Sequence, residues 1–570
     1  MANQRDEKIL SQLLFSTLVG VTVLVITSSV TDPVNVSKLF LVGGLSFAVL
    51  GVLLYKPMTW VLFKNKLISG LIGLFVLFSI STLVLSKAPF WQSLYGQYGR
   101  NNGFILYIFL SVLFLGALGL RTNSSISRMQ MAMFWAGTIN VLYAMWVLAF
   151  GDFIPWNNQY GALLGTLGNP NFIGSFLGMF STFLFAQLFN ASASRPYRLG
   201  YLLLIPLTFI AIVQSHAVQG KVLFIAGIGI VLFYLVRDKL NSYFQGGYIL
   251  LSAVAFLLAL LGTLQKGPLS GVLYKETVSL RGQYWHSGWN TGTANPWHGA
   301  GFDALAEWYR RSRRESALQL PGVDTVTNAA HNVYLDMFAF GGWPLFLAYI
   351  LINLYVLYSI LRHTMSNKKF DPTFVALVGV WVCYQLQSTI SINQIGLAVW
   401  GWVIGGAIIS YERNSSVAAS SDLEEKQAGR SRTTNREKSK QQVFSPGLRA
   451  GIASIAGFII AVPPLASDMQ WRSAQVSQDA NKVEAALQPS YLNPLSMFKI
   501  NTLVGIFETN NLPDLAHKYA LEAVEYNSDS FEAWRNLYRI SKSTPEEKAL
   551  ALENMKRLDP LNPDPGFTPE

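Results

Sequence analysis

The chain is poor in two things on which soluble enzymes rely. Of its 570 residues only 13% are charged, where a soluble domain carries about 25%. It has one cysteine, Cys383, set inside an apolar stretch. A lone thiol excludes an internal disulfide and a cysteine-built metal site. Histidine is also scarce, with six in all. Three of them, His286, His298 and His331, share one loop but lack the His-x-x-x-His spacing of a helical metal site. No metal or cofactor is expected. The first apolar block, Leu10–Val30, has no small-residue cleavage site and reads as a retained anchor.

What is abundant is hydrophobicity, 51% of the chain, gathered in long blocks. Phe104–Leu120, Phe172–Leu188, Val222–Val236, Tyr248–Leu264 and Trp343–Leu361 are nearly free of charge. A hydrocarbon core of roughly 30 Å takes about 20 apolar residues as helix, and the blocks predict about thirteen spans. The expected fold class is all-α, a polytopic helical membrane protein. The spans hold few ionisable groups and show no duplicated half, which argues against a transporter. A scaffold that only displays a domain needs one anchor rather than a dozen.

The net charge of +11 sits at span ends. It faces anionic lipid rather than nucleic acid. Arg5 and Lys8, then Lys56, Lys64 and Lys66, Arg121 and Arg128, Arg195 and Arg198, Arg237 and Lys239, and Arg362, Lys368 and Lys369 occupy alternate loops. The positive-inside rule assigns these to the cytoplasm. The long loop 265–332 and the tail then lie outside.

The expected layout is a membrane core over 1–411, a linker over 412–447, a last span over 448–466 and a separate tail over 467–570. The linker is polar and dense in both signs, so it reads as disordered. The tail repeats a short element. Leu492-Asn493-Pro494, Tyr526-Asn527-Ser528 and Leu558-Asp559-Pro560 recur at intervals of 34 and then 32 residues, with Ala516, Ala520, Ala523 and Ala533 between. A period near 34 with small residues at packing positions resembles tetratricopeptide repeats. Such helical repeats bind partners, so the tail is expected to recruit a protein or a glycan-assembly partner.

Loops longer than about 15 residues are usually functional or disordered, and 265–332 is not low-complexity. Tyr284, Trp285, Trp289, Trp297 and Trp308 stand among glycines. They suit ring or sugar binding, or an interfacial aromatic belt. Arg310, Arg311, Arg313 and Arg314 form a basic cluster. A helix there puts 310, 313 and 314 on one face, and the cluster is either a further phosphate-binding group or a headgroup site.

Three further elements stand in order: Arg281-Gly282-Gln283-Tyr284-Trp285, then His298-Gly299-Ala300-Gly301-Phe302, then His331-Asn332 running into a span with Gly341-Gly342. Upstream lies Gly168-Asn169-Pro170-Asn171. This set, over roughly residues 89–411, resembles the O-antigen ligase/polymerase superfamily. The resemblance implies transfer of a glycan from a polyprenyl-pyrophosphate carrier to an acceptor hydroxyl, outside the bacterial cytoplasmic (inner) membrane and without a metal. The acceptor stays open among a cell-surface glycolipid, a growing glycan and a protein. His331 matches the family histidine, and a near-neutral imidazole suits a base for a hydroxyl. Arg281 matches the loop arginine, whose fork of donors suits a leaving pyrophosphate. Asn332, Trp285, Arg100, Asn169 and Asn171 are candidate substrate-binding residues, Asn332 being equally a helix cap. The family's second arginine is missing from 214–221, where Lys221 stands as a point charge.

Overall fold

The computed structural model describes residues 2–55, 62, 65–273, 280–427, 445–477, 479–564 and 566. Lys56, Lys64, Ser279 and linker residues 428–444 lie outside the described residues. Within them the elements are helices, with no strand. Ten helices are long and apolar enough to cross a membrane. Three others, Ala2–Val23, Phe104–Leu118 and Pro372–Ser388, fall where spans are predicted. The first carries Arg5, Asp6, Glu7 and Lys8 near its start. The other two have only 15 and 17 residues, because flanking residues that counted as apolar sequence form caps and turns. The chain is a multi-pass helical membrane protein.

Polar side chains start several of these helices. Thr122, Asn169, Asn241 and Asp371 each accept a hydrogen bond from a first-turn amide. Such caps satisfy amides that lipid would leave bare. Interhelical fit relies on small residues. Asn35–Leu53 lies so close to Pro446–Ser477 that a Cβ at Gly457 would sit 2.3 Å from the Gly43 carbonyl oxygen, the close approach typical of membrane helices.

Basic residues gather on one face. Glu7 Oε1 accepts from the amides of Arg121 and Thr122 at 2.9 and 2.8 Å. Arg449 pairs with Asp6 at 2.9 Å, and Arg413 donates to the Leu118 carbonyl at 3.1 Å. Loop residues 280–332 and the C-terminal domain meet at another face.

Two expected boundaries move. The helix Ile395–Gln427 runs well past residue 411, so the first part of the expected linker is helical. Its Ala, Leu, Glu, Lys and Gln content favours that state. Pro446–Ser477 likewise continues beyond 466, and its Trp471 and Ala474 pack into the C-terminal core. The last membrane helix therefore enters the tail without a joint.

The tail contains two helical hairpins, Met497–Thr509 with Pro513–Tyr526 and Phe531–Arg539 with Pro545–Leu558. Ala516, Ala520, Ala523 and Ala533 are fully buried between them. The recurring Asn/Asp lies in the turn that follows each element: Asn493, Asn527 and Asp559, all buried. Asn493 Nδ2 donates to the carbonyls of Ala486 and Gln488, both at 2.9 Å. In the last copy the residue is an acid, and it reaches out of the domain. Asp559 accepts two contacts from Arg313 at 2.7 Å and a third hydrogen bond from Arg310 at 3.3 Å. Arg311 pairs with Asp529 at 3.3 Å, and the Tyr98 ring stacks on Phe498 at 4.6 Å.

This corrects the headgroup reading of the basic cluster. Arg310, Arg311 and Arg313 dock the tail onto the loop. Nor do 310, 313 and 314 share a helical face, because the helix Leu305–Ser312 ends before Arg313, whose backbone is extended.

Candidate functional site at the loop–membrane junction

The helix Val333–Ser366 is two helices joined at a break. Gly342 has φ +64° and ψ −161°, a conformation open to glycine and strained for other residues. Carbonyls freed at such a break need new partners. The Gly299–Gly301 element supplies them: the Ala300 amide donates to Ala339 O at 2.8 Å, and the Gly301 amide to Phe340 O at 3.0 Å. In return the Trp343 amide donates to Pro296 O at 2.8 Å. A Cβ at Gly299 would lie 2.0 Å from Phe340 O. The two glycine motifs are thus one interlock, which fixes the short leading helix that carries His331 at its start.

Other contacts set the approach to that helix. Asp336 Oδ1 accepts from the Ala330 amide at 2.7 Å. Asn332 Oδ1 caps the amides of Tyr334 and Leu335 at 3.0 and 3.2 Å. The cap reading of Asn332 is therefore satisfied by its Oδ1. Between them His331 takes φ +54°, uncommon for a side-chain-bearing residue and worth about 1–3 kcal/mol of strain. Its Nδ1 lies 3.2 Å from the Ala329 carbonyl. A carbonyl only accepts, so Nδ1 carries the proton and Nε2 keeps its lone pair.

The helix Arg281–Ala294 packs against this segment through its glycines. A Cβ at Gly288 would meet Ala330 Cβ at 2.8 Å, and one at Gly292 would meet the Phe338 ring at 2.4 Å. Arg281 at its start is 4% exposed. Its Nε has no hydrogen-bond partner among the described residues. The next turn of that helix brings the Tyr284 ring to 5.4 Å from the His331 ring. Burial, then the charges of Arg281 and Arg100, push the His331 imidazole down to about 3. Burial pushes Arg281 down to about 10. Both charged forms lack water, and the histidine is neutral across the physiological range.

His331 lines a cleft of about 890 Å³ whose other walls include Tyr284, Glu307, Asn328 and residues of the C-terminal domain. Arg281 lines a second, small cavity of about 30 Å³ with Asn171, Gln219 and the apolar Val222, Phe256 and Leu260. The arginine thus stands between an apolar crevice among membrane helices and the histidine of the open cleft.

The expected residues are distributed unevenly over this geometry. Arg100 joins the site: it is buried, donates to Asn328 Oδ1 and lies 3.9 Å from Asp303. Asn171 meets Arg281 in the small cavity. Asn169 is the N-cap of the next helix, its Oδ1 held by the Asn171 amide at 2.9 Å. Trp285 is half-buried, with its indole N–H unpartnered, and lines neither cavity. Lys221 is exposed and lines neither cavity. It does not replace the missing arginine there. The other loop histidines are engaged elsewhere, His298 with Ser81 at 3.0 Å and His286 with Asn290 at 3.2 Å. No metal-holding cluster occurs among the described residues.

Sequence reasoning missed two acids. Asp303 is fully buried beneath Arg100 and accepts from the Gln97 amide at 2.9 Å. Burial raises its carboxyl. Glu307 lines the cleft, and burial pushes it up to about 7. The available signal was position, since Asp303 directly follows the Gly-x-Gly-Phe element.

The site is thus a buried arginine and a buried histidine at a cleft on one face of a multi-pass helical core. Residues 201–350, which include both Arg281 and His331, match the family model described as O-Antigen ligase. That segment is similar to the O-antigen ligase family, and the match supports a membrane glycan-transferring ligase or polymerase activity. No curated protein matches the chain.

Proposed function

We propose that the protein transfers a glycan from a polyprenyl-pyrophosphate carrier to an acceptor hydroxyl, at the outer face of a bacterial cytoplasmic membrane. One observation carries this reading: a buried arginine with no carboxylate partner among the described residues stands beside a neutral histidine with an available Nε2. The arginine is placed for the pyrophosphate, with the apolar crevice behind it for the lipid. The histidine is placed for the acceptor hydroxyl, with the wide cleft in front of it.

In the reaction the acceptor oxygen bonds to the anomeric carbon. The bond from that carbon to the phosphate oxygen breaks, and pyrophosphate leaves with the electron pair. His331 Nε2 takes the acceptor proton. Arg281 and Arg100 stabilise the departing charge, an effect worth several kcal/mol in a water-poor site. The same two cations depress His331. Bound pyrophosphate offsets their field, so the donor itself makes His331 a stronger base. This scheme needs no metal.

The outer-face assignment follows from the basic loops gathered with the N-terminus and from the positive-inside rule. We read the tail hairpins, whose starts Met497 and Phe531 are 34 residues apart, as tetratricopeptide-type repeats that recruit a protein or glycan-assembly partner.

The test is single substitution in cells. His331→Ala and Arg281→Ala are each expected to abolish surface-glycan transfer at normal protein level in the membrane. Full transfer by both variants would overturn the assignment. Mass spectrometry of the product identifies the acceptor.

A further inference from the structure

The cleft that holds His331 is closed on its far side by the C-terminal domain. Phe498, Asn501, Tyr526, Phe531, Arg535 and Asn536 of that domain line it. The wall is held firmly: Arg310 and Arg313 are 2% and 4% exposed, and the Asp559 they share is fully buried. A volume of about 890 Å³ lies near the top of the roughly 300–1,000 Å³ range of small-ligand sites, so there is room for more than a single sugar ring.

The chemistry of the walls narrows the occupant. Four cleft residues keep a buried polar atom without a hydrogen-bond partner among the described residues: Gln97 Oε1, Asn101 Oδ1, Glu307 Oε2 and Tyr526 Oη. The two amide oxygens only accept, and the carboxyl and the phenol do either. Buried polar atoms are nearly always paired in a working complex. The missing partner is therefore rich in donors. Aromatic faces complete the lining, with Trp91 and Tyr95 stacked at an interplanar angle of 3°. A peptide brings as many carbonyls as N–H groups. A saccharide brings many hydroxyl donors together with C–H faces that pack on aromatic rings.

We propose that the C-terminal domain is the acceptor-side wall of the transfer site, and that the cleft it closes binds a saccharide chain through Gln97, Asn101 and Tyr526. The proposal deepens the reading of His331 as the base and rests on it for the direction of transfer. It does not rest on it for binding. The acceptor hydroxyl would then belong to a glycan, and the tail would select which glycan is extended.

The experiment uses the full-length protein in detergent and an oligosaccharide released by mild acid from the host's lipid-linked glycan. Binding is followed by tryptophan fluorescence, and transfer is measured in parallel. Tyr526→Phe, which removes one hydroxyl, and Gln97→Met, which removes the amide oxygen, are each expected to weaken saccharide binding about tenfold, the scale of one lost hydrogen bond. KM for acceptor should rise while kcat changes little. His331→Ala is expected to lose transfer while still binding the saccharide through the rest of the cleft. Unchanged binding in both wall variants would overturn the proposal, as would tighter binding of an extended peptide than of the saccharide. Retained transfer in His331→Ala with weakened binding in the wall variants would instead overturn the base assignment and leave the wall standing.

Discussion

Arg281 and Arg313 are both 4% exposed and lie on the same loop, yet they are used in opposite ways. Arg313 is spent on structure: its guanidinium faces the fully buried Asp559, with both contacts at 2.7 Å. Arg281 forms no salt bridge with any described carboxylate, and its Nε has no partner among the described residues. A buried cation without a counter-ion costs several kcal/mol unless something arrives to neutralise it. The contrast separates a charge that completes the fold from one that we propose receives an anion. Arg100 stands between the two, buried near Asp303 at a loose 3.9 Å.

Substitution can break that comparison. The largest effects belong to the reacting pair. His331→Ala should lower kcat by about 10²–10⁴-fold, and Arg281→Ala by about 10²–10³-fold, with the thermal midpoint of the purified protein little changed. A midpoint that falls steeply in Arg281→Ala would place Arg281 with Arg313. Next comes Asp559→Ala, which strands the buried Arg313 and leaves Arg310 only its weaker, more exposed carboxylate partners Glu532 and Asp324. It should cost about 3–5 kcal/mol of docking stability, read as release of the tail to limited proteolysis while the membrane core stays intact. A tail that remains protected would remove the structural half of the contrast.

Smaller effects sharpen the picture. Glu307 is pushed up to about 7 from an ordinary 4.5. A raised acid favours the folded state when protonated, so stability falls as pH rises from about 4.5 through 7 and stays low above. Glu307→Gln should flatten this fall, which is on the order of 2 kcal/mol, in thermal midpoints taken at pH 5.5 and 8. Smaller still is the loss of the helix cap: Asn332→Ala should cost about 1 kcal/mol. If Asn332 also holds acceptor, KM rises by more than that cap accounts for. The pH profile gives a last check. With donor bound, the acid limb of kcat should lie at higher pH than that of kcat/KM, since kcat reports the complex and kcat/KM the free enzyme. Coincident limbs would mean that the pyrophosphate does not relieve the field of Arg281 and Arg100.

Much of this was legible in the sequence because it depends on local pattern. Apolar blocks of span length specify membrane helices whatever their neighbours do. The Gly299-x-Gly301 and Gly341-Gly342 motifs could be read together because they serve one break in one helix. Lys221 was misplaced for a different reason. Its position near the start of a helix says nothing about which face looks toward the loop, and that face is set by how the neighbouring helices pack. Asp303 and Glu307 went unread because an isolated acid in a loop looks solvated until its burial is known. The arginine cluster was read as a lipid site since the partner, Asp559, lies some 250 residues away in sequence.

By itself, then, the sequence determined a multi-pass helical core, a tail that repeats a short element and a candidate His–Arg pair, since each is written in short-range periodicity or in a motif. Only the tertiary structure decided which arginines pair with a carboxylate among the described residues and which do not, and that the tail lines the cleft. Those outcomes depend on desolvation and on contacts between distant segments, and no local pattern carries either.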